Sequence, residues 1–178
     1  MKKISRHLAT SIKRVSLAIF DVDGVLTDGR LYYGGDGEQL KVFNTLDGHG
    51  LKMLAASGVT LAIVSGRSST ALARRAKDLD IKHVMMGVAD KAIAYRALLK
   101  KLKLTADMVA SIGDDIVDLP ILINCAFSAA VPSAPKDVAS RVDYLTKAAG
   151  GEGAVREFCE VIMRTQGTYR AALEKYVD

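Results

Sequence analysis

The stretch VSLAIFDVDGVLTDG (residues 15–29) decides the fold that we expect for this chain. Its first six residues, VSLAIF (15–20), form a short continuous apolar run, which is typical of a strand buried on both faces of a parallel sheet. Asp21 and Asp23 follow directly, and strand alternation places residues two apart on the same side. Gly24 then frees the backbone to turn. The stretch therefore predicts a central strand that carries two carboxylates at its end.

Further apolar runs alternate with amphipathic stretches along the chain, a pattern that is typical of βα units. The runs that we read as strands are VTLAIV (59–64), KHVMMG (82–87), MVASIG (108–113) and the short YLT (144–146). The stretches that we read as helices are residues 48–56, 68–79, 90–102 and 153–164, with Asp47 as the expected N-cap of the first. The sequence therefore predicts an α/β fold built on a parallel sheet.

One segment, RLYYGGDGEQLKVFN (30–44), interrupts this alternation between the first strand and the first helix. Its centre, Gly34-Gly35-Asp36-Gly37, is a turn signal between two short strand-like stretches and predicts a β-hairpin. Because a lone hairpin is marginally stable in water, we expect it to pack on its own domain or on another subunit. The apolar residues that suit either surface are Leu31, Tyr33, Leu40, Val42 and Phe43.

The charge distribution and the cysteines limit the possible partners and compartment. The net charge of +5 is carried by residues 1–14, which we read as a solvated basic arm, while residues 15–178 are balanced and favour no nucleic-acid partner. No run approaches the roughly 20 apolar residues of a membrane span, so we expect no membrane partner. Cys125 and Cys159 lie in apolar patterns without CxxC spacing, which favours reduced core thiols in a cytosolic protein.

A second acidic group, Asp114, Asp115 and Asp118, follows the predicted strand 108–113. Ligands of open parallel α/β sheets bind at the carboxyl ends of the strands, so this group and the Asp21–Asp23 pair should converge on one crevice. Two carboxylates about 4 Å apart repel by roughly 4 kcal/mol at an effective dielectric near 20. The cluster therefore requires a cation, and oxygen ligands with open water positions favour Mg²⁺.

Two further elements can complete a phosphate site. Ser65 and Gly66 end the predicted strand 59–64, where a hydroxyl and backbone N–H groups can hold an anion. Lys91 begins the predicted helix 90–102 and could grip a transferred phosphoryl group. Each element alone has an ordinary explanation, a helix cap for Ser65 and a solvated side chain for Lys91, so the combination in this order is the informative feature.

In that combination the sequence resembles the haloacid dehalogenase superfamily of phosphatases, over roughly residues 15–165. The resemblance implies a doubly wound parallel sheet, with Asp21 as the nucleophile that forms an aspartyl-phosphate and Asp23 as the general acid and base. It further implies that Mg²⁺ is held by Asp21, Asp114 and the Asp23 carbonyl, that Ser65, Gly66 and Lys91 bind phosphate, and that Asp115 and Asp118 support the metal ligands from outside. No large cap domain fits into the chain, because residues 66–90 are used by one helix and one strand.

Within the superfamily, the chain is similar to the 3-deoxy-D-manno-octulosonate 8-phosphate phosphatases. The stretches that carry this similarity are DVDGVLTDG, GGDGEQLKVFNTLDGHGLK, SGR, GDDIVDLP and GGEGAVRE. It implies a cytoplasmic, magnesium-dependent phosphatase that acts on a small anionic sugar phosphate in lipopolysaccharide synthesis. It also implies a homotetramer in which 30–44 hairpins meet, and a tail, residues 166–178, that in relatives can fold over a site. The implied substrate contacts are Asp23, Asn44, Thr45, Leu46, Asp47, Gly48, Lys52, Arg67, Arg75 and Lys91.

The sequence leaves three other functions open. Lys52 and Glu152 stand where relatives often carry arginine, which leaves a nine-carbon sugar acid 9-phosphate of the sialic-acid type as an alternative substrate. A receiver-type signalling domain also has acidic strand ends and a lysine, but its phosphorylated Asp ends a later strand, where this chain has Ser65. A catalytically silent assembly module is the third possibility, against which the presence of every motif residue argues.

Overall fold

A six-stranded sheet, in which all neighbouring strands are parallel, forms the centre of the molecule. The structure is a computed structural model and describes residues 4–177. The strands of this sheet are β1 (Leu17–Phe20), β4 (Thr60–Val64), β5 (His83–Met85), β6 (Val109–Gly113), β7 (Phe127–Ala130) and β8 (Tyr144–Leu145). The helices are α1 (Arg6–Lys13), α2 (Thr45–Ala56), α3 (Thr70–Asp78), α4 (Lys91–Leu102), α5 (Leu119–Leu122), α6 (Lys136–Ala139), α7 (Ala154–Gln166) and α8 (Tyr169–Glu174).

Helices cover both faces of the sheet, whose strand order is β5-β4-β1-β6-β7-β8. Alternation along the fully buried β1 sends Ala18 and Phe20 into one core, where Phe20 meets the ring of Phe158 from α7 edge-on at 5.8 Å. Leu17 and Ile19 enter the opposite core, which contains residues of α4 and α5. The predicted α/β fold with a doubly wound parallel sheet is therefore confirmed.

The predicted strands are all present, but the secondary structure differs from expectation at β7 and at the start of α2, among other places. The sequence reading missed β7, whose residues Phe127–Ala130 are fully buried between β6 and β8. Helix α2 begins at Thr45 and not at residue 48, because the N-cap is Asn44, whose side chain accepts a hydrogen bond from Leu46 N at 2.7 Å. Asp47, the predicted N-cap, lies inside the first turn of the helix.

The hairpin forms a separate two-stranded antiparallel sheet of β2 (Tyr32–Gly34) and β3 (Gly37–Leu40), as the turn signal predicts. It is the segment inserted between β1 and α2, and residues 66–90 hold only α3 and β5. The prediction that the chain has a small hairpin and no large cap is confirmed.

The described part of the predicted basic arm packs on the domain and is not a solvated leader. Residues Arg6–Lys13 form α1, in which Ile12 is fully buried against the core that contains α7. The side chain of Gln166 fastens this segment by donating hydrogen bonds to the carbonyl oxygens of Ile12 and Val15, at 3.2 and 2.8 Å. The first three residues of the predicted arm lie outside the described residues. The charges of α1 are exposed, but its apolar side is part of the domain.

At the other end of the chain, Gly167 caps α7 and the short helix α8 follows. Tyr169 of α8 lies beneath the guanidinium of Arg164, at 3.6 Å from the ring centroid, and is partly buried against the core. Among the described residues, helices with the length and apolar character of a membrane span are absent.

We expect Ile12→Ala to destabilise the protein by about 2 to 5 kcal/mol, because it removes a fully buried side chain from between α1 and the core. The neighbouring exposed residue provides the control, Lys13→Ala, which should change the free energy of unfolding by about 0.5 kcal/mol or less. Urea denaturation of both variants measures the difference. Equal stability of both variants would mean that α1 contributes nothing to the fold.

Candidate active site

The two acidic groups meet at the carboxyl ends of the neighbouring strands β1 and β6. Phe20 and Ile112 are partners in the parallel ladder, and Asp21 N donates to Ile112 O at 3.1 Å, so Asp21 leaves the sheet beside the residues that follow β6. One carboxylate oxygen from each of Asp21, Asp114 and Asp118 lies within 4.8 Å of the others. The predicted convergence of acidic residues from two chain segments is therefore present.

Gly24 is the residue that lets the two segments approach so closely. Its backbone has φ +86°, in the left-handed region that favours glycine. A Cβ built at this position would overlap the carboxylate of Asp114. Any side chain at residue 24 would thus displace a member of the acidic cluster, which explains the glycine directly after the Asp21–Asp23 pair.

Lys91 lies within the cluster as the first residue of α4. Its Nζ is 2.7 Å from Asp21 Oδ1 and also donates to Asp118 Oδ1, and the residue is only 5% exposed. Asp90 positions this helix end by accepting hydrogen bonds from Ala92 N and Ile93 N. Burial favours the neutral amine, yet the charges of Asp21 and Asp118 raise the pKa of Lys91 above its ordinary value.

Asp118 organises the cluster, because both of its oxygens are used within it. Oδ1 accepts from Lys91, while Oδ2 accepts from Asp114 N at 3.0 Å and Asp115 N at 3.2 Å. Asp115 is exposed, and its side chain accepts from Ile116 N at the start of the short turn that leads to α5. These contacts suit the predicted supporting positions of Asp115 and Asp118, outside the ligands of a metal ion.

The electrostatics of the cluster suit a bound cation. Burial, followed by the charge of Asp118, raises the pKa of Asp21 to about 6 although Lys91 opposes the shift. Burial and the charges of Asp21 and Asp118 raise the pKa of Asp114 to about 8. Both carboxylates are thus costly to ionise without a positive charge between them. Oxygen donors alone favour a hard divalent ion such as Mg²⁺, so the residues fit the predicted metal.

Ser65 and Gly66 lie at the end of β4, which neighbours β1. Ser65 is 1% exposed and its Oγ accepts from Arg67 N at 3.2 Å. Helix α3 begins only at Thr70, with Ser69 as its N-cap. The ordinary explanation of Ser65 as the cap of that helix therefore does not apply, and its hydroxyl remains a candidate for phosphate binding.

Two functional candidates, Lys41 and Glu38, were missed by the sequence reading. Lys41, which follows β3, is 8% exposed, and its Nζ pairs with Asp23 Oδ1 and lies 2.9 Å from Glu38 Oε1. Glu38 Oε2 in turn accepts from Arg67 at 3.2 Å, and Arg67 also donates to Tyr33 Oη at 2.8 Å. The hairpin therefore contacts the site through ionic groups.

The inward position of Lys41 could not be read from the sequence. Its neighbours Leu40 and Val42 are both exposed, at 55% and 53%. Alternation in an extended chain then directs Lys41 to the opposite, inner side. Because a lysine between two apolar residues is ordinarily expected to face solvent, the sequence pattern alone indicates the opposite orientation.

The other predicted substrate-contacting residues are divided between surface and core. Thr45, Leu46 and Lys52 are exposed on α2, while Asn44 donates to Gly151 O at 3.0 Å and accepts from Arg75 at its own carbonyl. Gly48 is buried so closely beneath the guanidinium of Arg75 that a Cβ there would overlap it. The substrate contacts predicted for these residues stay predictions.

The side chain of Asp47, another predicted substrate contact, is hydrogen-bonded within the protein. Asp47 is 1% exposed and accepts hydrogen bonds from Arg156 N at 2.7 Å and Gly153 N at 3.3 Å. It therefore caps the N-terminus of α7 from α2, and its carboxylate is already committed within the protein. The sequence reading missed this capping role because the partner lies more than a hundred residues away in the chain, and the substrate contact of Asp47 stays a prediction.

Comparisons with known proteins place the chain among hydrolases. Residues 83–158 match the family described as haloacid dehalogenase-like hydrolase. The chain is 41% identical to the 3-deoxy-D-manno-octulosonate 8-phosphate phosphatase KdsC of Salmonella typhi, covering 92% of this chain and 87% of that protein. KdsC of Yersinia pestis is likewise 41% identical, covering 89% of this chain and 84% of that protein.

Solved structures agree with these relatives. A probable YrbI family phosphatase from Pseudomonas syringae superimposes with a TM-score of 0.95 at 49% identity, covering 98% of this chain and 99% of that one. The 3-deoxy-D-manno-octulosonate 8-phosphate phosphatase of Moraxella catarrhalis, solved in complex with magnesium, phosphate and KDO, gives a TM-score of 0.92 at 40% identity, covering 95% and 97%. The similarity extends over nearly the whole chain.

We expect Asp47→Ala to lower the free energy of unfolding by about 1 to 3 kcal/mol, because two buried N–H groups of α7 lose their acceptor. Denaturant unfolding measures the loss, and Asp36→Ala in the exposed hairpin turn is the control, with an expected change near zero. A variant of unchanged stability that instead bound substrate more weakly would support the predicted substrate contact.

Proposed function

Because the chain belongs to the 3-deoxy-D-manno-octulosonate 8-phosphate phosphatase family of haloacid dehalogenase-like hydrolases, we propose that it hydrolyses that ester to the free sugar acid and phosphate. The observation that carries the proposal is the cluster of Asp21, Asp114 and Asp118 with Lys91 at the carboxyl ends of β1 and β6. The magnesium, phosphate and KDO bound by the Moraxella catarrhalis relative support magnesium as the cofactor and a small anionic sugar phosphate as the substrate.

The first half of the reaction is phosphoryl transfer to Asp21. Its carboxylate attacks phosphorus in line, the bond from phosphorus to the sugar oxygen breaks, and Asp23 gives its proton to that oxygen. Lys91 and Ser65 hold the other phosphate oxygens, and the position of Lys91 Nζ at 2.7 Å from the nucleophile supports this role. The products are the free sugar and an aspartyl-phosphate on Asp21.

The second half returns the enzyme to its starting state. Asp23, now a carboxylate, takes a proton from a water molecule that attacks phosphorus, and the bond from phosphorus to Asp21 breaks. When it is bound, Mg²⁺ held by Asp21, Asp114 and the Asp23 carbonyl neutralises charge on the phosphate oxygens. Asp118 keeps Lys91 and the backbone of residues 114 and 115 in place through its two oxygens.

We place this reaction in the cytoplasm, on the grounds that the product supplies lipopolysaccharide synthesis.

Positive side chains suit the carboxylate of a sugar acid, because a guanidinium can meet it with two parallel hydrogen bonds. Arg67, Arg75 and Lys52 are the candidates. Arg67 and Arg75 already contact the hairpin and the loop before α2, which orients them before substrate arrives.

The hairpin supplies the proposed contact of a homotetramer. It carries Leu31, Tyr32, Tyr33, Leu40 and Val42, each at least 41% exposed. Tyr32 pairs with Leu40 on the outer side, whereas Tyr33 pairs with Glu38 and contacts Arg67. Such an exposed cluster on a two-stranded sheet is typical of a surface that pairs with another subunit. Phe43, also predicted for this interface, is instead partly buried against its own domain, beside Arg75.

A panel of phosphate esters with Mg²⁺ tests the function. We expect turnover of 3-deoxy-D-manno-octulosonate 8-phosphate well above that of other sugar phosphates, and its loss by about 10³-fold or more in Asp21→Asn, which keeps the shape but not the anionic nucleophile. The control is Asp78→Asn, an exposed residue of α3. Comparable turnover of a nine-carbon sugar acid 9-phosphate would contradict the proposed substrate. Absence of Mg²⁺-dependent phosphate release would contradict the proposed phosphatase activity.

Light scattering after size exclusion tests the assembly. We expect a tetramer for the wild type and smaller species for Leu40→Glu, because a charge on the outer side of the hairpin opposes apolar contact between subunits. Ile123→Glu is the matched control, since Ile123 is equally exposed, at 58%, but lies at the end of α5. A monomeric wild type, or a tetramer that survives Leu40→Glu, would contradict the proposed interface.

A further inference from the structure

Four charged groups of alternating sign form a closed ring where the hairpin meets the site. Asp23 Oδ1 pairs with Lys41, and Lys41 lies 2.9 Å from Glu38. Glu38 pairs with Arg67 at 3.2 Å, and Arg67 Nε lies 3.9 Å from Asp23 Oδ2. The ring joins the loop after β1, strand β3 and the loop after β4, which are three separate parts of the chain.

Within the ring, the paired side chains of Asp23 and Lys41 differ in their exposure to solvent. The side chain of Asp23 keeps 22% of its surface exposed, whereas that of Lys41 keeps only 2%. An incoming ester can therefore reach Asp23 but not the ammonium behind it. An ammonium is unfavourable in such a buried place unless it is paired, and both of its partners here are carboxylates.

We propose that Lys41 is a positioning residue that holds the carboxylate of Asp23 in line with the leaving oxygen, with Glu38 and Arg67 holding Lys41 and the hairpin in place. The inference rests on the proposed function, in which Asp23 transfers the proton. A carboxylate on a short side chain has two rotatable bonds, and proton transfer requires its oxygen within hydrogen-bond reach of the substrate. Fixing Oδ1 on Lys41 leaves Oδ2, which lies 3.9 Å from Arg67 Nε, as the oxygen for proton transfer.

The hairpin thereby supplies groups to the site although the chain has no large cap domain. Its inner side supplies Lys41 and Glu38 to the site, while its outer side carries the exposed Leu40 and Val42. The same strand thus determines the geometry of a reacting group and the surface offered to a neighbouring subunit.

A double-mutant cycle with Asp23 tests the proposal. We expect Lys41→Gln to lower kcat for an alkyl phosphate ester by about 10- to 100-fold with KM changed by less than about threefold, because orientation is lost but binding is not. In the Asp23→Asn background the same substitution should cause no further loss, since Lys41 acts through Asp23. Lys101→Gln, an exposed residue of α4, is the control.

The leaving group provides a second, independent measurement. p-Nitrophenolate departs without a proton, so rapid-quench formation of the phosphoenzyme from p-nitrophenyl phosphate should stay within about threefold of the wild type in Lys41→Gln. A purely structural role would slow both esters equally and add to the effect of Asp23→Asn. Either result, or an unchanged kcat for the alkyl ester, would overturn the proposal.

A variant with balanced charge guards against a folding defect. If Lys41→Gln unfolds because Asp23 and Glu38 then repel each other, Lys41→Gln with Glu38→Gln removes the repulsion and should fold while keeping the loss of kcat. Recovery of wild-type kcat in this double variant would overturn the proposal. Any alkyl phosphate ester that the wild type hydrolyses can be used in these measurements. If the wild type does not hydrolyse 3-deoxy-D-manno-octulosonate 8-phosphate, the proposed substrate is wrong, but the test of Lys41 is unaffected.

Discussion

Repulsion among the carboxylates at the ends of β1 and β6 is the constraint on which the rest of the site depends. Each pair at about 4 Å costs roughly 4 kcal/mol at an effective dielectric near 20. Lys91 compensates one of the three charges of Asp21, Asp114 and Asp118, so two negative charges remain when all three are ionised. The two positive charges of a divalent ion balance these two negative charges. The fold maintains the arrangement through parallel pairing of β1 with β6 and through the missing side chain at Gly24.

In a chain without a large cap domain, the hairpin has two chemically different sides. Lys41 and Glu38 face inward to an ionic ring, while Leu40 and Val42 face outward. An isolated two-stranded sheet has little stability of its own, so the inner ionic contacts contribute to its position. A contact made by the outer side of the hairpin would therefore be coupled to active-site geometry, because a movement of β3 moves Lys41.

What the sequence could predict was local in the chain or carried by a resemblance. Buried strands ending at Asp21, Ser65 and Asp114 were visible as apolar runs followed by polar residues, and the hairpin was visible from its glycine-rich turn. Strand β7 was missed because its apolar run, Phe127–Ala130, lies close behind α5 without a turn signal. The capping of α7 by Asp47 was missed because hydrogen bonds between distant segments leave no local pattern.

The position of Arg67 bears on how specificity can arise at this site. Its guanidinium donates to Tyr33 and Glu38 of the hairpin, so a substrate carboxylate that binds Arg67 either shares it with these groups or displaces them. Displacement would loosen the ring that also holds Lys41 and Asp23, and by thermodynamic linkage the position of the hairpin would then affect substrate affinity. Sharing would instead add one more oxygen to an arrangement that is already oriented. Where the substrate displaces these groups, its binding to Arg67 would act on Asp23, and this coupling would originate in the contacts of one short hairpin.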